Sequence, residues 1–230
     1  MNKIKNLLIA AVATLALTSS ALAFEGFSIG ATLSDSTFDT TGVEKKSQGA
    51  AASGSSIETS AIQKVSNGVD IGSVFAEYTF AQGSTVGIEV IPGDASLGSK
   101  TRTHTITNGQ NVSGVITAKA NVSDHVTIYV EPTFMLNDKF GVYVKGGAAR
   151  VTVETQESQT TTSIASTYPN QDVYGVMMGI GAKAYYGNFF AKLESTTTDY
   201  GEVSLTSSTG KVINAEIEAD ATVVSLGYNF

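Results

Sequence analysis

The sequence predicts an antiparallel, eight-stranded, up-and-down transmembrane β-barrel, and three observations support this fold class. Only 15% of the 230 residues are charged, against roughly 25% in ordinary soluble domains. No apolar run after residue 23 approaches the ~20 residues that a membrane-spanning helix needs. The predicted strands alternate apolar and polar residues, and the segments between them alternate in length. Low charge without long apolar runs is typical of a barrel whose strands cross a bilayer.

A secretion signal is predicted at residues 1–23. A basic start precedes a short apolar core at residues 7–17, and Ala21 and Ala23 form a small-residue cleavage site. An uncleaved N-terminal membrane anchor is the alternative, although the core is short for a membrane span. We therefore expect cleavage after Ala23 and an outer-membrane β-barrel domain over residues 24–230 that a bacterium exports through the Sec route.

Eight strands are predicted in the remainder of the chain, joined by connections that alternate between long and short. An even strand number places both chain ends on the periplasmic side, together with the short turns, and leaves the long loops outside the cell. The short turns lie near residues 81–84, 137–139 and 187–188, and the long loops lie near residues 34–68, 92–111, 155–171 and 200–211.

A soluble β-domain is the alternative fold. Soluble antiparallel sandwiches share the strand order but do not require loops of such unequal length at their two ends. A soluble lipocalin-like barrel turns its apolar side chains inward and its polar side chains outward. In a barrel embedded in lipid, the charged face of each strand lines the lumen instead.

Every predicted strand except the first and the last carries a charge on the face opposite its apolar residues. Eight strands leave a lumen just wide enough for side chains to fill. An unpaired charge there would be costly, and the four carboxylates and three lysines nearly balance, so we expect ion pairs that plug the lumen. The predicted network consists of Glu77, Glu89, Glu131, Glu194, Lys145, Lys183 and Lys192.

Aromatic residues cluster beside the predicted short turns and at both ends of the mature chain. Aromatic girdles occupy membrane–water interfaces, where an amphipathic ring is stable. Phe190 has the parity of the lumen, and we expect it to cap the interior. The predicted girdle contains Phe24, Phe27, Phe80, Phe134, Phe140, Tyr185, Tyr186, Phe189, Tyr228 and Phe230.

The last strand resembles a known assembly signal. Val224, Leu226, Tyr228 and Phe230 alternate up to a terminal aromatic residue, which is similar to the C-terminal signal of outer-membrane proteins that the barrel-assembly machinery reads. With its eight-strand order, the chain resembles the small barrels of the OmpA transmembrane domain, OmpX and opacity-protein type. The resemblance implies outer-membrane lipid, lipopolysaccharide, periplasmic chaperones and the assembly machinery as partners, and a structural, adhesive or minor pore role.

We expect neither an enzyme nor a bound metal or cofactor. The chain has no cysteine, and its net charge of −7 disfavours nucleic acid as a partner. Ser123, Asp124 and His125 are adjacent, but neighbouring strand residues point to opposite faces, so they cannot form a hydrolase triad by themselves. His104 lies in a polar outer segment, and no calcium or phosphate loop is present.

Two functions therefore remain open. The first is a structural or surface-interaction barrel with a salt-bridged, largely plugged lumen, whose extracellular loops could hold an unknown ligand. The alternative is a narrow porin-like channel or a passage for small, even apolar, molecules. The balance of lumen charges favours the first function, since a pore would be better served by a wide lumen lined by one sign of charge.

Overall fold

The computed structural model describes residues 25–46, 58–59, 62–107, 111–159, 168–208 and 211–230. The predicted signal segment, with Ala21 and Ala23, lies outside the described residues, as does Phe24 of the predicted girdle. No helix among the described residues is long and apolar enough to cross a membrane.

Eight antiparallel strands close into one barrel, which confirms the predicted fold class. The strands of the described residues are β1 (Gly26–Lys46), β2 (Glu58–Thr59), β3 (Gln63–Thr79), β4 (Thr85–Ile91), β5 (Ala95–Thr107), β6 (Asn111–Glu131), β7 (Thr133–Met135), β8 (Phe140–Gln159), β9 (Gln171–Tyr186), β10 (Phe189–Thr206) and β11 (Lys211–Asn229). The closed order is β6-β4-β3-β1-β11-β10-β9-β8, and β8 pairs with β6 to complete the circle. Strand β5 pairs with the outer part of β6, β7 pairs with the inner end of β8, and β2 pairs with the end of β1.

The strands extend much further outward than the sequence predicted. Strand β1 has 21 residues, whereas about 9–11 suffice to cross a bilayer. It pairs with β11 without interruption as far as Lys46. Large parts of the segments predicted as loops at 34–68, 92–111 and 200–211 are therefore strands. Their many Ser, Thr and Gly residues resemble loop composition, yet hydrogen bonds to the neighbouring strands keep them extended.

The polarity of the two barrel faces inverts about halfway along the strands. We call residues 26–34 of β1, with the parts of other strands beside them, the membrane half, and the part from Asp35 outward the outer half. On the surface that faces away from the lumen, the membrane half carries apolar side chains that are 43% to 73% exposed: Ile29, Leu33, Val74, Ile88, Ile128, Leu193 and Leu226. Its lumen is lined by polar residues such as Ser28, Thr32, Ser73 and Thr127.

The outer half has the opposite arrangement. Its interior is an apolar cluster that includes Phe38, Leu97, Val122, Val151, Val153, Val203, Leu205 and Ile217. Its outward face carries Asp35, Asp39, Asp70, Arg150, Asp172, Glu218 and Asp220, all exposed. This is the arrangement of a soluble barrel, so the outer half is built to stand in water above the lipid.

Candidate functional site

The lumen of the membrane half contains all the charged side chains that the sequence placed there. They come from β3, β4, β6, β8, β9 and β10, and each points inward because it alternates with a lipid-facing residue on its strand. Six of them are almost completely buried, and only Glu89 is appreciably accessible, with 16% of its side chain exposed. The structure brings them together in one connected cluster, which we call the plug.

Glu131 is the centre of the plug. Its carboxylate is fully buried and accepts ion-pair contacts from three lysines. The Nζ atoms of Lys145, Lys183 and Lys192 lie 3.7, 3.4 and 2.9 Å from its oxygens. Lys192 also reaches Glu77 Oε2 at 2.5 Å. A buried carboxylate requires such partners, because leaving it unpaired would cost several kcal/mol of desolvation.

The other contacts extend the plug in both directions along the lumen. Lys145 Nζ lies 3.0 Å from Glu194 Oε1 and 3.8 Å from Glu89 Oε2. Glu89 in turn accepts a hydrogen bond from Ser73 Oγ at 2.5 Å. At the periplasmic end, Lys183 Nζ donates to Thr85 Oγ1 at 3.1 Å. The plug therefore holds its lysines by carboxylates and by neutral oxygen acceptors together.

Aromatic rings pack around the plug against glycines of neighbouring strands. Within the lumen, Lys145 Nζ lies 4.1 Å from the centre of the Tyr129 ring, and Tyr129 Oη donates to Glu77 Oε2 at 2.9 Å. A methyl group added to the glycine under each ring would overlap that ring, so glycine is what permits these close contacts. The pairs are Phe75 with Gly30, Tyr129 with Gly87, Tyr143 with Gly181, and Phe190 with Gly227.

The periplasmic end of the lumen is closed by an aromatic layer. Phe190 is buried, and its ring centre lies 6.1 Å from that of Phe75 and 5.8 Å from that of Tyr185. Phe190 and Tyr185 thus both point inward, unlike the rest of the described girdle. The alternation of residues along the strand predicted that Phe190 points inward. Tyr185 also points inward because it lies two residues after the inward-facing Lys183 on β9.

The residues of the predicted C-terminal signal lie on the lipid-facing side of β11. Val224, Leu226, Tyr228 and Phe230 are all exposed. The Phe230 ring centre lies 5.2 Å from that of Tyr228 and 6.4 Å from that of Phe27. The Phe230 amide also donates to the Phe27 carbonyl oxygen at 2.9 Å. The end of the chain is therefore joined to the beginning of β1 within the periplasmic girdle.

Comparison with known families decides the identity of this closed barrel. Residues 7–230 match the family model described as outer membrane protein beta-barrel domain. The chain belongs to this family. No curated protein matches the chain.

Among the solved structures to which this outer-membrane barrel is similar are Ail, Neisserial surface protein A and OprG. Ail, the attachment invasion locus protein of Yersinia pestis, is 11% identical, with a TM-score of 0.34 over 84% of this chain and 98% of Ail. Neisserial surface protein A is 9% identical, with a TM-score of 0.40 over 89% and 97%. OprG from Pseudomonas aeruginosa is 12% identical, with a TM-score of 0.45 over 92% and 98%.

The Ser123-Asp124-His125 segment of the outer-membrane barrel lies at a bulge in β6. Asp124 has φ +51° and is exposed, and the pairing with β8 shifts there. His125 Nε2 lies 2.9 Å from Tyr200 Oη. His104 lies on β5, and its side chain lies outside the description. In the part of the chain that the structure describes, no cluster of His, Cys, Asp or Glu could hold a metal ion.

Sequence reasoning missed the apolar interior of the outer half. Its residues alternate inward at positions such as Val151 and Val153, or Ile213 and Ile217, within segments dominated by Ser, Thr and charged residues. That alternation could have revealed the apolar interior. It was not recognised because apolar side chains face inward and polar ones outward there, which is the reverse of the membrane half.

The outward face of the outer half is acidic, and some of its carboxylates lie directly opposite one another. Glu218 pairs in register with Asp39 on β1 and Asp199 on β10. Elsewhere on this face, Asp172 accepts a hydrogen bond from Arg150 at 2.6 Å, which lowers the pKa of its carboxyl.

Replacing Glu218 by Gln should stabilise the outer half. Like charges directly opposite on neighbouring strands are destabilising, so we expect a gain of about 0.2–1 kcal/mol in the free energy of unfolding. Thermal melting at low salt would measure it, with Asp138→Asn in a periplasmic turn as the control. A lower melting temperature than that of the unchanged protein would contradict the expectation.

Proposed function

We propose that this outer-membrane barrel has a structural or surface-interaction role and that its lumen is closed to ions. The observation that carries the proposal is the plug: Glu131 has no exposed surface, and three lysines surround it. The rings of Phe75, Tyr185 and Phe190 close the periplasmic end below it. An ion crossing the barrel would have to break several buried ion pairs at once.

The outer half supports the surface-interaction part of the proposal. Strands that continue well past the membrane hold the outer rim away from the lipid surface, and binding residues are commonly carried by such rigidly supported segments. Among the residues that the structure describes, no catalytic geometry supports an enzymatic role, and the function we assign requires neither a metal nor a cofactor.

Single-channel recording in a planar bilayer tests the closed lumen. We expect no current steps from refolded protein of residues 24–230 whose β-structure and insertion have been verified. Steady, reproducible current steps would overturn the closed lumen and favour the alternative of a narrow channel.

Substitution of Lys145 by Ala separates a stabilising plug from a gate. Lys145 contacts Glu89, Glu131 and Glu194, so its loss should lower the free energy of unfolding by about 3–5 kcal/mol without producing ion flux. Thermal melting and bilayer recording would be compared with Lys119→Ala, an exposed lysine of the outer half. Unchanged melting would argue against the plug, and new conductance would mean that Lys145 blocks a pore.

We further propose that residues 1–23 direct export and that Phe230 is read by the barrel-assembly machinery. N-terminal sequencing of protein from outer membranes should give Phe24 as the first residue. Any other first residue would contradict the proposed cleavage site.

Replacing Phe230 by Ala should sharply reduce the protein found in the outer membrane, while refolding into lipid without the machinery should be little changed. Phe189→Ala is the matched control, because Phe189 is a similarly exposed girdle residue on β10. Equal losses for the two variants in cells would contradict a recognition role for the C-terminal residue.

A further inference from the structure

The apolar interior of the outer half is incompletely filled. One cavity of about 90 Å³ lies just above the plug, with Phe38, Val151 and Val223 among its lining residues. A second cavity of about 180 Å³ lies further out. Val153 and Ile217 line both cavities, so the two are separated by little more than these side chains. Together they form what we call the chamber.

The chamber has the size and the lining of a site for a small apolar molecule. An engineered cavity of about 150 Å³ lined by Leu, Ile and Phe stays dry and binds benzene. The larger cavity here is of comparable volume. Thr40, Ser99, Lys119 and Thr155 contribute to its lining, but most of its large side chains are apolar: Leu97, Val153, Val203, Leu205, Ile213 and Ile217. A hydrocarbon would gain contacts with these apolar side chains, which offer water no hydrogen bonds.

The floor of the chamber is closed. Lys145 and Glu89, which belong to the plug, line the inner end of the smaller cavity together with Thr127. A molecule in the chamber could move on towards the periplasm only by breaking the ion pairs of the plug. The geometry therefore suits binding in the outer half rather than passage through the whole barrel.

The wall of the chamber has a seam between β3 and β5. Strand β3 pairs with β4 only through residues Val74 to Thr79. Strand β4 ends at Ile91, Pro92 and Gly93 interrupt the chain, and it resumes as β5 at Ala95. Among the described residues, β5 forms a backbone ladder with β6 and none with β3. Across the seam, Asn67 Nδ2 donates to the Ser96 carbonyl oxygen at 2.7 Å.

The seam leads directly to the larger cavity. Val65 of β3 lines that cavity from one side of the seam, and Leu97 and Gly98 of β5 line it from the other. Side-chain contacts can part more readily than a continuous ladder, because no row of backbone hydrogen bonds has to break.

From these observations we infer that the outer half binds small apolar molecules, of the size of a single-ring hydrocarbon or a short alkyl chain, which enter the chamber through the seam between β3 and β5. This inference goes beyond the proposed function, since the plug can remain closed while the chamber is occupied. The same alkyl chemistry could come from a free hydrocarbon or from the acyl chain of a lipid.

Methyl NMR of the refolded protein in lipid nanodiscs tests occupancy, with benzene as the probe. We expect saturable shifts of the Ile217, Val153 and Leu205 methyl signals and none of comparable size at the lipid-facing Leu226. Nuclear Overhauser contacts between the chamber methyls and protonated acyl chains, before benzene is added, would instead identify lipid as the source. The absence of both saturable shifts and acyl-chain contacts would overturn the inference.

Filling the chamber with a larger side chain should weaken binding. Ala215 and Ala120 line the larger cavity, so Ala215→Leu should weaken benzene binding at least about tenfold, which corresponds to ~1.4 kcal/mol. Ala120→Leu provides a second variant if the first does not fold, and Ala31→Leu, on the exposed face of β1, is the matched control. Unchanged affinity in both folded chamber variants would overturn the assignment.

A reversible cross-link across the seam tests the entry route, and the natural chain has no cysteine to interfere. In the double variant Asn67→Cys with Ser96→Cys, a short bis-methanethiosulfonate linker should slow benzene exchange, and reduction should restore it. The control pair is Thr101→Cys with Thr117→Cys, which are opposite one another in the β5–β6 ladder. Unchanged exchange with the seam cross-link formed would show that the route lies elsewhere.

Discussion

Replacing Glu131 by Gln should lower the free energy of unfolding by about 3–5 kcal/mol. The amide keeps the shape of the side chain but removes the charge that faces Lys145, Lys183 and Lys192. Among the described residues, Glu131 is the one carboxylate within ion-pair distance of Lys183, and neither side chain has exposed surface. Equilibrium unfolding in denaturant, from the same lipid or detergent, would measure the change.

Glu25→Gln is the control for this substitution, because Glu25 is an exposed residue before β1 and should have almost no effect on stability. A second step tests the cause. Lys183→Met introduced together with Glu131→Gln should recover part of the loss, because it removes the cation that the first change leaves unpaired. A double variant that is as unstable as the sum of the two single variants would contradict the assignment of that ion pair.

Replacing Gly30 by Ala should cost about 1–3 kcal/mol, the usual range for overpacking a well-filled interior. The added methyl group would overlap the Phe75 ring on one side and the Leu226 carbonyl oxygen on the other. A backbone carbonyl cannot move aside without disturbing the β1–β11 ladder, and Phe75 is itself held by Phe190. The same unfolding measurement applies.

Gly146→Ala provides the matched control, since nothing lies within 4 Å of a methyl group at that position. It should be neutral or slightly stabilising, because alanine restricts the unfolded chain. If Gly30→Ala proves as well tolerated as Gly146→Ala, the ring does not require a glycine beneath it.

The inward placement of the charged residues in the membrane half could be predicted, because the alternation that reveals it lies within each single strand. Glu77, Lys145 and Lys192 alternate with large apolar residues, so parity alone assigns their side chains to the lumen. Which carboxylate each lysine meets was not predictable. The distance between Lys192 and Glu131 depends on how far neighbouring strands are staggered around the closed barrel, and no residue spacing in one chain encodes that stagger.

Most of the outer half was predicted as loops because its Ser, Thr and Gly content resembles loop composition. Alternation did not correct this, because parity has no fixed meaning without the position of the membrane. Residues such as Phe38 and Ile217 alternate with Asp and Glu, and the same alternation could describe either face. The bulge at Asp124, where a non-glycine residue adopts φ +51°, additionally changes which residues of β6 face inward. Neither feature has a distinctive residue pattern, so both became visible only with the strands paired.

The inversion of polarity along the strands has a consequence for how deeply the protein sits in its membrane. Sliding the barrel inward would carry Asp35, Asp70 and Asp220 into hydrocarbon, and sliding it outward would carry Ile29 and Leu226 into the aqueous phase. Either displacement is opposed around the whole circumference at once, because charges on the lipid face are unfavourable at depth and exposed apolar surface is unfavourable in water. The vertical position is thus fixed by the protein, and a bilayer of different thickness would have to stretch or thin around it.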